Sequence, residues 1–110
     1  MQLRPLGEHT GVEVGGIDVG RPLGDDVIKA LCDALAKYGV VVMRDQAIDD
    51  AKQIEFSRCF GPLERFVGAE HTNVAFPEIM EIADVGDRTK WLSTAQLWHT
   101  DGSYKSVPSY

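Results

Sequence analysis

The chain has 110 residues, of which 44% are hydrophobic and 25% charged, with 11 basic against 17 acidic side chains for a net charge of −6. That balance excludes global disorder and fits one folded core with no room for a second. An acidic pI near 4.9 without a local basic patch argues against nucleic acid or an anionic membrane surface as partner. No apolar run approaches the roughly 20 residues of a membrane span. Met1-Gln2-Leu3-Arg4-Pro5 opens no signal-peptide pattern, so the chain is expected to be cytoplasmic. Cys32 and Cys59 lie in apolar helical patterns without C-x-x-C spacing, and both are expected to be buried free thiols.

Val12 and Val14 alternate with Glu13, then Gly15 and Gly16 intervene, and Ile17 and Val19 resume the alternation in shifted phase. This predicts a strand bulged or bent at the glycines, because one extra residue changes the face that its successors take. Arg21-Pro22-Leu23-Gly24 breaks the element. Asp25 and Asp26 then place carboxylates at a helix start, and Val27, Ile28, Leu31, Cys32, Leu35 and Tyr38 recur at three- and four-residue spacing before Gly39 ends the helix. The run Val40-Val41-Val42-Met43 predicts a buried strand covered on both faces. Just after it, Arg44 is expected to pair with Asp45 or another nearby carboxylate. A second helix is expected from Asp49-Asp50, carrying Ile54, Phe56, Cys59 and Phe60 and closed by Gly61-Pro62. Strand, helix, strand, helix invites a nucleotide-binding reading, yet no G-x-G-x-x-G or phosphate loop follows either strand. Periodicity lapses after Glu64 until Ile79-Met80-Glu81-Ile82-Ala83, a further expected strand. The polar stretch from Asp84 to Gln96 reads either as a mobile lid over a site or as an ordinary surface connection around Trp91. Phe66 and Phe76 are expected in the core.

The chemically informative segment is Trp98-His99-Thr100-Asp101-Gly102-Ser103-Tyr104. In extended backbone, residues two apart share a face, so His99 and Asp101 can converge on one ion while Thr100 points away. One imidazole nitrogen and one carboxylate oxygen, completed by a second histidine, make the facial triad of non-haem Fe(II) oxygenases, which leaves positions open for a cosubstrate and dioxygen. Alone, the tripeptide is a weak signal: a surface histidine hydrogen-bonded to a neighbouring aspartate satisfies it as well.

Four ordered blocks carry more weight together. They are Gly11-Val12-Glu13-Val14-Gly15-Gly16-Ile17-Asp18 with Arg21-Pro22-Leu23, Val40 to Gln46, Phe56-Ser57-Arg58-Cys59-Phe60-Gly61-Pro62-Leu63-Glu64, and Leu97 to Tyr104. In this order and spacing the chain resembles the TauD/TfdA family of Fe(II)- and 2-oxoglutarate-dependent dioxygenases, from about Gly11 to Tyr110. The resemblance implies an α+β chain, the N-terminal part of a double-stranded β-helix (jelly roll), with two helices packed on a mostly β scaffold. Residues 1–110 are then expected to be the N-terminal part of a single dioxygenase domain, truncated after Tyr110.

By the same resemblance, His99 and Asp101 are the first two iron ligands, and no catalytic residue is expected beyond the metal ligands. The third ligand, a distal histidine, is expected past Tyr110, as are an arginine that holds the 2-oxoglutarate carboxylate and a threonine that helps position it. His9 and His71 lie in unmatched segments and are poor stand-ins for that histidine. Trp91, Leu92 and Trp98 are candidate substrate contacts. The taurine-type pattern has asparagine and histidine where this chain has Ala95 and Phe66, so the local wording is closer to the aryloxyalkanoate (2,4-D) branch. The implied reaction is hydroxylation of a small organic acid, of aryloxyalkanoate or sulfonate type, by dioxygen as 2-oxoglutarate is decarboxylated to succinate. Homo-oligomers are implied too, while the 110 residues alone are expected to lack turnover. Two other classes compete: a non-catalytic scaffold or partner-binding module of the same fold, and a metallohydrolase, for which further upstream histidines are missing.

Overall fold

The valine alternation around Glu13 does form a strand in the computed structural model, which describes residues 1–65, 75–80, 98 and 106. By its internal contacts the chain divides into two units, Met1–Leu63 and Glu64–Tyr110. In chain order, the first holds β1 (Gln2–Pro5), β2 (Val12–Gly15), α1 (Asp25–Tyr38), β3 (Val41–Val42) and α2 (Asp50–Arg58).

Strand β2 is the middle of a mixed sheet ordered β1-β2-β3. It pairs antiparallel with β1, Gln2 opposite Gly15 and Pro5 opposite Val12, and parallel with β3, Val12 opposite Val41 and Glu13 opposite Val42. A parallel pair needs a crossover, and α1 supplies it, so β2, α1 and β3 make a βαβ unit. Strand β1 was not anticipated. All four of its residues are exposed, so no alternation marks it, and Pro5 is tolerated where a strand has a free edge.

Along β2 the burial alternates as the sequence predicts, with Val12 and Val14 buried and Glu13 and Gly15 partly exposed. The strand does not continue through a bulge. It ends at Gly15, and Gly16 turns the chain with φ at 78°, a backbone state that side chains disfavour. Val19 is nevertheless buried, because the loop folds back: its N–H donates to the Gln46 side-chain carbonyl at 2.9 Å. Asp18 fixes the next turn, accepting from the Gly20 N–H at 2.9 Å and pairing with Arg21 at 3.0 Å.

Helix α1 starts as predicted, with Asp25 and Asp26 in its first turn, and stops at Gly39, whose φ of 72° lets its N–H return to the Leu35 carbonyl at 2.8 Å. The neighbouring Tyr38 carbonyl accepts twice, from the Thr10 hydroxyl at 2.8 Å and the Gly11 N–H at 2.9 Å. These bonds fasten the β1–β2 loop to the helix end, and they satisfy a carbonyl that the helix itself leaves open.

Helix α2 has the Asp49 carboxylate as its N-cap, accepting from the Lys52 N–H at 2.9 Å. The buried apolar side chains among the described residues are Val12, Val14, Val19, Leu31, Ala34 and Ile54. Several expectations are corrected by that set. Cys32 and Cys59 are free but exposed, because Leu31 and Ala34 take the inward face of α1 and Ile54 alone is buried on α2. Phe60 is exposed too, with its ring edge-on to Phe56 at 5.1 Å. The predicted doubly covered strand is only Val41–Val42, half-buried, and Val40 is 51% exposed.

In the second unit the described residues are few. The Ile79 N–H donates to the Phe76 carbonyl at 2.9 Å, and Arg65 approaches Glu78 at 3.9 Å. Phe76 is half-buried, and Met80 takes part in a β-bridge. Phe66 and residues 81–83 of the expected strand lie outside the described residues.

Candidate functional site

The expected metal ligands His99 and Asp101 and the substrate candidates Trp91 and Leu92 lie outside the described residues, as do Ala95 and His71. Trp98 is described, and its side chain is fully exposed. Among the described residues no group of three or more His, Cys, Asp or Glu side chains could hold a metal ion. His9 is exposed, with Nε2 at 3.9 Å from the Glu8 carboxylate. Cys59 donates from Sγ to the Glu55 carbonyl one helical turn back, at 3.5 Å.

Among the described residues Glu13 pairs with two guanidiniums at once. Its Oε2 accepts from Arg4 at 2.8 Å and from Arg44 Nε at 2.9 Å, so one carboxylate oxygen joins β1, β2 and the segment that leaves β3. The hydrogen bond from Arg44, then that from Arg4, holds the Glu13 carboxyl below the usual carboxylate range. Arg44 therefore pairs with a nearby carboxylate, as expected, and its partner is Glu13. Sequence reasoning did not single out Glu13, although its place between two inward valines marks it as the outward residue of β2.

The two residues after Arg44 complete the same framework. Asp45 adopts φ of 56°, a left-handed conformation that aspartate tolerates better than most side chains. That turn brings the Gln46 amide back, where it accepts from Val19 and donates to the Arg44 carbonyl at 2.7 Å and the Ile17 carbonyl at 3.5 Å. The block Arg44-Asp45-Gln46 thus binds the exit of β3 to β2 and to the turn beyond it. Its role in these contacts is architectural.

Known proteins resemble this chain along almost all of its length. The (S)-phenoxypropionate/alpha-ketoglutarate-dioxygenase of Sphingobium herbicidovorans is 33% identical over 106 residues, which cover 96% of this chain and 36% of that protein. The crystal structure of AAD-2 in complex with Mn(II) and N-oxalylglycine superposes with a TM-score of 0.69 at 26% identity, over 98% of this chain and 34% of that one. A crystal structure of a taurine dioxygenase from Burkholderia xenovorans gives a TM-score of 0.72 at 27% identity, over 76% of this chain and 30% of that one. The chain thus spans about a third of the length of the relatives it matches. The family model described as taurine catabolism dioxygenase TauD, TfdA family matches residues 2–109, nearly the whole sequence, and on that ground the chain belongs to the TauD/TfdA family.

Proposed function

We propose that these residues are the N-terminal part of an Fe(II)- and 2-oxoglutarate-dependent dioxygenase domain of jelly-roll type, which hydroxylates a small organic acid. The observation that carries the reading is His99-Thr100-Asp101 within a chain that the family model matches over residues 2–109. The donor set fits the metal: one imidazole nitrogen and one carboxylate oxygen suit Fe(II), and no thiolate is involved. AAD-2, which was solved with Mn(II) and N-oxalylglycine, an isostere of 2-oxoglutarate, supports the same pairing of metal and cosubstrate.

In this reading His99 gives one ring nitrogen to the metal and keeps the other as a hydrogen-bond donor that fixes the ring. Asp101 binds as the carboxylate and offsets part of the ion's charge. Trp91, Leu92 and Trp98 contact the substrate. Fe(II) with 2-oxoglutarate would supply the oxidising chemistry that places one oxygen atom of dioxygen in a C–H bond as 2-oxoglutarate loses CO2 to give succinate. On this reading a distal histidine and a 2-oxoglutarate arginine would complete the site from outside residues 1–110, which span about a third of the length of the relatives. For the substrate, Ala95 and Phe66 in place of the taurine-type residues favour an aryloxyalkanoate over a sulfonate, and the phenoxypropionate-named relative supports that preference.

Fe(II) titration and 2-oxoglutarate turnover test the reading. In the enzyme that carries this chain, His99→Ala and Asp101→Ala are each expected to lower Fe(II) affinity by more than about 100-fold, beyond the loss typical of residues that only support a ligand. Unchanged affinity in either variant would remove that residue from the site. The 110 residues alone are expected to bind Fe(II) weakly and to release no succinate; stoichiometric decarboxylation by them would overturn the assignment of the remaining ligands to a later segment.

A further inference from the structure

We draw no further inference here: the strongest candidate, the exposed apolar stripe of α1 carried by Cys32 and Leu35, carries nothing because no feature of the structure shows what covers it.

Discussion

Glu13→Gln keeps the shape of the side chain and removes the charge that two guanidiniums share. In the wild type those partners depress the folded carboxyl below its ordinary value of 4.5, so the unfolded chain takes up this proton first as pH falls. The stabilisation is complete above that value and is lost as pH drops through the lower folded one. Urea titrations should therefore show the variant less stable than wild type at pH 7 and indistinguishable from it in strong acid, with the gap narrowed by salt. A gap that survived unchanged in acid would assign the effect to packing. At this scale the sequence was legible for Arg44 only as far as expecting a carboxylate partner: that partner, Glu13, lies 31 residues earlier and is brought close by the pairing of β2 with β3. It was misleading for Cys32 and Cys59. A helical stripe of six apolar residues is wider than the face that becomes buried, and the small Ala34, absent from the stripe as read, sits inside.

Helices were the most legible elements, because their signals are local. Asp49 before α2 and Gly39 after α1 mark their ends in sequence and serve as caps in the structure. Gly39→Ala is expected to destabilise by about 1 kcal/mol, the cost of holding a side chain at φ of 72°. An added Cβ would meet Thr10 Oγ1 at 3.5 Å, an ordinary contact, so the loss read from urea midpoints is a backbone cost. The two faces of α1 should behave differently. Leu31, only 2% exposed, should cost about 2–5 kcal/mol when cut to alanine. Leu35→Ser, at a 44% exposed position, should cost under about 1 kcal/mol, and equal losses at both sites would contradict the placement of the core. The strands were harder to read. Strand β1 is exposed along its whole length, so it has no periodicity of its own and exists through its pairing with β2.

For the whole molecule, net charge and exposed apolar surface set the solution behaviour. At pH 7 the charge of −6 gives copies a mutual repulsion. Near pH 4.9 that repulsion vanishes while Leu3, Leu6, Leu35, Val40, Ile48 and Phe60 remain exposed. Light scattering should peak near that pH, and Leu35→Lys should reduce it; a flat profile would show that these side chains are too dispersed to act together. The candidate site was legible only as chemistry. His99 and Asp101 mark a candidate pair of donors through their spacing alone, whereas a donor contributed from a distant stretch of chain leaves no such local pattern.

Because β2 is held on one side by an antiparallel neighbour and on the other by a parallel one, its length is fixed twice over. Adding or deleting a single residue within Val12–Gly15 would flip the faces of the residues on one side of the change relative to the other, and would put part of both pairings out of register at once. Natural length variation in this part of the molecule is therefore expected in the exposed segment from Gly7 to His9, ahead of the Thr10 anchor, which can grow without disturbing either pairing.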